Sequence, residues 1–316
     1  MVYLITGGAG FIGSHLVDRL MNEGKNVRVI DNLASGSVKN IEAWVGNSRF
    51  EFTESDILDP EKLNHALLGA ETVFHFAANP EVRSSKASPL DHFDQNIKAT
   101  FLLLEETRKI GDLKTICFAS TSTVYGEAEQ IPTPEGYGPM KPISLYGASK
   151  LACESLISAY AFMYGFKAVI YRLANIVGPR SNHGVIWDFV GKLRSDSSEL
   201  EVLGDGLQSK SYLYVSDCVE GMLTGVNSSE RVSIFNLGSR DRCTVLEIAE
   251  EVKKATGASR ANIKLTGGVE GGRGWKGDVK LMQLDMTKLA STGWSPRFSS
   301  LEAVRMTAEA VSSERL

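Results

Sequence analysis

Cysteine is scarce in this 316-residue chain. Its four cysteines, Cys117, Cys153, Cys218 and Cys243, lie far apart and form no CxxC pair. That spacing argues against a disulfide framework or a structural zinc site and suits buried thiols in a reducing compartment. Long apolar runs are missing too, and nothing approaches the roughly 18 residues that a membrane span needs. Nor is there an excess of positive charge: 34 lysines and arginines stand against 38 acids, a net charge of −4. A nucleic-acid surface is therefore not expected, whereas a local basic pocket for a small anion remains open. The five histidines show no metal-ligand spacing, and no Ser–His–Asp pattern points to a hydrolase. MVYLITGGAGFIG lacks the basic start and long apolar stretch of a secretory signal. These absences lead us to expect a cytoplasmic protein without metal, membrane or nucleic-acid partners.

What is present is an ordinary core-forming composition, 43% apolar and 23% charged. The length fits about two domains or one large α/β unit. Short β-branched runs at Val2–Thr6, Val27–Asp31, Phe50–Thr53, Val73–Phe76, Thr115–Ser120 and Ala168–Arg172 read as buried strands. Helical spacing of apolar residues fills Phe11–Glu23, Pro60–Leu68, Asp91–Lys109 and Tyr146–Tyr164 between them. This alternation predicts an α/β fold with a doubly wound parallel sheet. After Asn175, glycine-rich loops cluster at 178–184, 204–210 and 267–277, and the elements between them shorten. A smaller C-terminal lobe is expected over about 176–208 and 246–316. Residues 1–175, joined by about 209–245 through the strand-like VSIFNLG, form the expected dinucleotide-binding domain.

Gly7, Gly10 and Gly13 follow the first strand and open the first helix. Glycine there allows a tight turn and close approach to a pyrophosphate, whose charge the helix N-terminus favours. A glycine triplet also serves plain helix–strand packing, so the next strand matters. Asp31 ends it, where a carboxylate binds adenosine ribose hydroxyls and repels a ribose phosphate. NAD is therefore expected rather than NADP.

Tyr146 and Lys150 stand four apart at the start of a helix and share one face. A neighbouring ammonium, together with a positive nicotinamide ring, is expected to lower the phenol's pKa so that it takes a proton as hydride leaves a carbon. In isolation, such a pair is usually a solvated helix face. Thr121 lies just past the strand Thr115–Ser120, at the sheet edge where ligands sit. Its neighbours Ser120, Ser122 and Thr123 equally suit a role in satisfying loop backbone.

The ordered series GGAGFIG, HFAA, STSTVYGE, YGASK, RLANIVGPR, GDGLQSKSYLYVSD, FNLGS and GWKGDV runs nearly end to end. It resembles the extended short-chain dehydrogenase/reductase family, and within it the nucleotide-sugar epimerases of the UDP-glucose 4-epimerase kind. The resemblance implies Thr121, Tyr146 and Lys150 as the catalytic trio. It also implies NAD contacts from Phe11, Ile12, Asp31, Asn32, Gly36, Asp56, Ile57, Phe76, Ala77, Ala78, Asn96 and Ser120, beside the three glycines, Tyr146 and Lys150. On the UDP-sugar side it implies Asn175 at the diphosphate, Val185, Glu201 and Leu203 at uracil, partly through backbone atoms, and Lys210, Tyr212, Arg273 and Asp278 around the nucleotide. The long helices 91–109 and 146–164 correspond to those that pair in the family's homodimers; packing on their own sheet is the alternative.

Two departures bear on the reaction. Lys210 stands where most relatives carry arginine, which keeps the charge and loses the two-pronged grip on phosphate. Ser122 and Thr123 stand where the 4,6-dehydratases carry Asp-Glu, and the UDP-glucuronate decarboxylases commonly carry Glu at the position of Thr123. A simple 4-epimerase needs no such acid, so the expected activity is interconversion of UDP-glucose and UDP-galactose. Epimerisation of UDP-N-acetylglucosamine or UDP-glucuronate, with Met282 and Arg83 as the residues bearing on the choice, and another nucleotide-sugar oxidoreductase are the alternatives. A non-catalytic NAD-binding sensor is the reading from another class, disfavoured by the intact trio.

Overall fold

The structure is a computed structural model, and it describes residues 1–82 and 88–314. Arg83 therefore lies outside the described residues. The chain divides into two compact units. The first comprises residues 1–124, 145–172 and 219–235, and the second 125–144, 173–218 and 236–316.

The first unit opens with β1 (Val2–Thr6), α1 (Phe11–Asn22), β2 (Asn26–Asp31), β3 (Phe50–Glu54), α2 (Pro60–Leu67) and β4 (Ala70–His75). It continues with α3 (Pro89–His92), α4 (Ala99–Ile110), β5 (Thr115–Thr121), α5 (Leu145–Tyr164) and β6 (Lys167–Leu173). A seven-stranded parallel sheet forms in the order β3-β2-β1-β4-β5-β6, completed by a late strand, Val232–Leu237. The order reverses between β1 and β4, and such a switch point opens a crevice at the strands' carboxyl ends. Both sheet faces are covered, so the strands read as continuous apolar runs rather than alternating ones. Leu4, Ile30, Val73, Ile116, Phe118 and Ile170 from the sheet pack with Leu63, Leu103, Leu104, Ile157 and Ala161 from the helices.

The expected helix 91–109 is not one α-helix. Between α3 and α4 the turns widen into a π-helix over Phe93–Lys98, which contains Asn96. Such wide turns re-aim side chains and recur at functional sites.

In the second unit, β7 (Asn175–Val177), α6 (Val185–Ser195), β8 (Glu199–Val202), β9 (Ser209–Lys210) and β10 (Tyr212–Tyr214) come first. After α7 (Val215–Gly225) and β11 (Val232–Leu237) follow β12 (Cys243–Thr244), α8 (Val245–Ala255), β13 (Asn262–Leu265), β14 (Leu281–Met282), α9 (Thr287–Ala290) and α10 (Ser300–Ser313). Its core is helical: Ile186, Phe189 and Val190 of α6 meet Ile248 and Val252 of α8 and Val304, Ala308 and Val311 of α10. Capping boxes start α8 (Thr244 with Glu247) and α10 (Ser299 with Glu302).

The boundary differs from the expected one in two places. Residues 125–144 follow β5 yet belong to the second unit, and only 219–235 return to the first. The local reason is visible at Asn236, whose amide is held by Thr133, Asp285 and Tyr125 and whose N–H meets Glu135. A strand-like pattern marks VSIFNLG as sheet, but hydrogen bonds to 125–144 claim its last residues. All four cysteines are buried and unpaired, as the sequence implies.

Candidate active site

The glycine loop between β1 and α1 is built by close approach. A Cβ on Gly13 would lie 2.3 Å from the carbonyl oxygen of Gly7, and one on Gly7, at φ +71°, 2.7 Å from the Ala77 nitrogen. Gly36 is equally confined, with a Cβ falling 2.9 Å from the Ala9 carbonyl carbon. Gly10 caps α1 with no side-chain hydrogen bond, and the first turn carries no acid. In contrast, Asp59 caps α2 through the Glu61 and Lys62 nitrogens. The opening N–H groups of α1, at Phe11 and Ile12, are thus oriented for an external anion.

Asp31 braces this loop. Its carboxylate accepts the Ala9 N–H at 2.9 Å and the Leu33 N–H at 2.8 Å. Burial pushes its pKa up, and the backbone donors partly offset that. Asn32 donates to Asp56 at 2.9 Å, while Ile57 is buried in the core. Across the switch point, Phe76, Ala77 and Ala78 are partly exposed at the end of β4. These features, a crowded glycine turn, uncapped helix N–H groups and a braced strand-end carboxylate, fit a dinucleotide.

Asn96 and Ser120 are less available than the sequence implies. The Asn96 amide accepts from the Asn79 N–H at 2.8 Å and donates to Ser149 Oγ at 2.8 Å. Ser120 donates its hydroxyl to Glu154. Both side chains are buried and engaged within the protein.

Lys150 projects from α5 against the end of β5. Its ammonium donates to the Ala119 carbonyl at 2.9 Å and lies 4.6 Å from the Phe118 ring centroid and 5.9 Å from that of Tyr146. Gly147 permits this docking, because a Cβ there would meet the Thr123 carbonyl oxygen at 2.7 Å. Burial lowers the Lys150 pKa to about 8, with Cys153 and Glu154 opposing. The expected lowering of the Tyr146 phenol is not found in the chain by itself. Burial pushes that phenol above its usual value, since desolvation penalises the phenolate and Lys150 is nearly 6 Å from the ring. Thr121 Oγ1 accepts the Thr123 N–H at 3.2 Å and lies 3.1 Å from Thr123 Oγ1.

In the second unit, Lys210 and Asp278 form an ion pair at 2.6 Å, and the Lys210 ammonium lies 5.5 Å from the Trp275 ring centroid. Arg273 donates through Nε to the Asp278 carbonyl at 3.0 Å and pairs with Glu127. Leu203 approaches the same turn, with its Cβ 3.6 Å from a Cβ built on Gly274. Asn175 Nδ2 donates to the Ser211 carbonyl at 3.2 Å. Tyr212 is a core residue whose buried phenol is pushed up in pKa. Met282 is buried and pairs in register with Lys210. Two expected residues stand apart from this cluster. Glu201 is exposed on β8, where Lys192 binds both its carboxylate and its carbonyl. Val185 packs against the helical core.

Residues 3–238 match the NAD dependent epimerase/dehydratase family. The chain belongs to this family. The putative UDP-glucose 4-epimerase of Methanocaldococcus jannaschii is 34% identical over 310 residues, covering 96% of this chain and 95% of that protein. UDP-glucuronic acid decarboxylase 5 of Arabidopsis thaliana is 33% identical over 319 residues, covering 98% and 89%. A crystal structure of UDP-galactose 4-epimerase superposes with a TM-score of 0.87 at 44% identity, covering 98% of each chain.

Gly147, Ser149, Glu154 and Arg172 also belong to this candidate site, although none of them is among the residues expected from the motifs. Glu154 had a legible signal, because it continues the four-residue spacing of Tyr146 and Lys150. It receives Arg172 through Nε at 3.1 Å and Nη2 at 2.7 Å, both side chains being almost wholly buried.

Proposed function

We propose that the protein interconverts UDP-glucose and UDP-galactose by epimerisation at C4. The observation that carries this reading is the hydroxyl-only loop at 121–123 beside the Tyr146–Lys150 pair. Thr121 and Thr123 bond to one another, and no carboxylate on that loop serves the further proton transfers of dehydration or decarboxylation.

NAD, when bound, supplies the acceptor and later the donor of the C4 hydride. The chain's part is proton handling and positioning. Tyr146 Oη takes the C4 hydroxyl proton on oxidation and returns it on reduction. Lys150, protonated below about pH 8, provides the positive charge that a phenolate in this crowded site requires. Thr121 Oγ1 hydrogen-bonds the C4 oxygen. Phe11 and Ile12 N–H groups receive the pyrophosphate, and Asp31 the adenosine ribose. Lys210, with Arg273 and Asn175, serves the UDP diphosphate. The 4-keto sugar needs only to turn over before hydride returns to its other face.

A coupled assay with UDP-galactose and no added NAD tests this reading. Formation of UDP-glucose is expected. Absence of conversion with NAD supplied overturns the sugar assignment, and UDP-N-acetylglucosamine and UDP-glucuronate then become the substrates to assay. A homodimer through α4 and α5 belongs to the same proposal, supported by exposed Phe101, Phe162 and Met163. Light scattering tests it, a monomer mass being the contrary result. Buried, unpaired thiols support a reducing, cytoplasmic setting.

A further inference from the structure

His75 ends β4 directly before Phe76–Ala78 and is 1% exposed. Both ring nitrogens are engaged: Nδ1 with Thr6 Oγ1 at 2.8 Å and Nε2 with Thr100 Oγ1 at 3.0 Å. The direction of each bond follows from what the hydroxyls do elsewhere. Thr6 Oγ1 already accepts the Ala77 N–H at 3.2 Å and shares the Phe76 N–H, also at 3.2 Å, with the Thr6 carbonyl at 3.0 Å. With both lone pairs engaged in this way, its own proton is directed to His75 Nδ1, the bare nitrogen. At the other end, Thr100 Oγ1 donates to the Asn96 carbonyl at 2.7 Å. A hydroxyl has one proton, so Thr100 accepts from His75 Nε2–H. The Thr100 end requires this neutral tautomer and the Thr6 end agrees with it.

The chain of bonds does not stop at Asn96. That carbonyl also accepts the Cys153 thiol at 3.3 Å, from α5. The Asn96 side chain holds the Asn79 N–H and Ser149 Oγ, and Ser149 Oγ bonds the Tyr146 carbonyl at 2.8 Å. The π-helix is the segment that turns both the carbonyl and the amide of Asn96 into this network. A loop and a helix are thereby tied together: the loop beside Gly7 at the switch point and the first turn of the helix carrying Tyr146 and Lys150.

We propose that His75 is a positioning residue, a neutral crossbar of fixed Nε2–H tautomer that sets the Phe76–Ala78 segment and the first turn of α5 relative to one another. Its cationic form has no place in this network, because a second N–H would confront the Thr6 hydroxyl in place of an acceptor. Burial and the nearby Lys150 charge act in the same sense, holding its pKa at about 3. The proposal rests on the NAD-epimerase reading for its consequence and on hydrogen-bond bookkeeping for its substance.

The first test is long-range ¹H–¹⁵N correlation on protein labelled at histidine, with His75 assigned by its loss in His75→Gln. A single Nε2–H tautomer that is unchanged from about pH 5 to 8 is expected, the range in which an ordinary histidine titrates. An Nδ1–H tautomer or a titration within that range overturns the proposal, whatever the substrate proves to be. The second test compares His75→Phe and His75→Gln with the wild-type protein in NAD binding by titration calorimetry. The phenyl ring keeps the bulk and loses both partners, so about tenfold weaker NAD binding is expected, as for an orphaned buried hydroxyl. Glutamine, with one donor and one acceptor, is expected to restore most of it. If His75→Phe binds NAD as tightly as the wild type, with both proteins folded by circular dichroism, the positioning role is overturned and the epimerase reading stands intact.

Discussion

The two units hold their candidate residues by opposite means. In the first, polar side chains are buried and satisfied by the backbone or by each other: Asp31 by Ala9 and Leu33, Lys150 by Ala119, Asn96 by Asn79 and Ser149. In the second, Lys210, Asp278, Arg273 and Glu127 face one another as ions around turns rich in left-handed glycine, at Gly267, Gly268, Gly271, Gly272 and Gly277. Chemistry at one carbon demands reacting groups fixed to within a fraction of an ångström, and buried hydrogen bonds provide that. Holding a charged nucleotide calls for charges that can exchange partners, and here Lys210 and Arg273 are partly exposed while Asp278 is buried. On the function proposed above, the contrast would make the first unit the seat of rate and the second the seat of affinity for the sugar nucleotide.

The sharpest way to break that division is at the phenol. Tyr146→Phe is expected to lower kcat about 10³-fold, the scale of a lost general base, while NAD and UDP binding stay near wild type. A variant with wild-type turnover removes Tyr146 from the chemistry. Loss of NAD binding instead makes it a structural residue.

Next comes the difference between a buried and a partly exposed ion pair. Arg172 and Glu154 are 2% and 4% exposed, whereas Lys280 and Asp205 are 33% and 29% exposed. Glu154→Leu removes the carboxylate that neutralises a buried guanidinium and is expected to cost about 3–5 kcal/mol. Lys280→Met is expected to cost less than about 1 kcal/mol. Urea midpoints of the two variants make the comparison, and equal shifts contradict it.

These cases also mark where sequence is informative. In the first unit the motifs are contiguous and their elements follow from them, because Gly7, Gly10 and Gly13 or Tyr146 and Lys150 act within one turn of chain. Most strands and helices around them lie close to expectation, the π-helix being the exception. Asn96 and Ser120 stand out by position, yet their partners, Ser149 and Glu154, come from another helix. Lys210 meets Asp278 from 68 residues away and Arg273 meets Glu127 across 146, so no local pattern encodes those pairs. The Glu201 side chain is turned away for a different reason: strand alternation places it opposite Val202, and Val202 is the one that is buried, which leaves Glu201 only backbone atoms for the expected contact. The phenol's shift departs because spacing reports a neighbouring charge and is blind to burial.

A gentler test follows from Lys150, whose pKa falls from 10.5 to about 8 through burial. The ammonium is the form that supports the phenolate, so kcat/KM is expected to fall as pH rises through about 8. Stability moves the other way. Between about pH 8 and 10.5 the unfolded chain binds the proton and the folded chain does not, so folding gains as pH rises across that window. A rate profile that stays flat across the same window removes the lysine charge from the mechanism.

The smallest effect is expected in the second unit, at Lys210. If its charge serves affinity by a single-pronged contact, Lys210→Arg restores a planar fork for a diphosphate. Asp278 pairs with the ammonium at 2.6 Å and is itself buried, so the replacement has a carboxylate to orient it. A fall in KM for the UDP-sugar of about threefold with kcat unchanged is expected, the sign of binding shared equally by ground and transition states. A change in kcat would carry Lys210 across the division and place it among the groups that act on the reacting carbon.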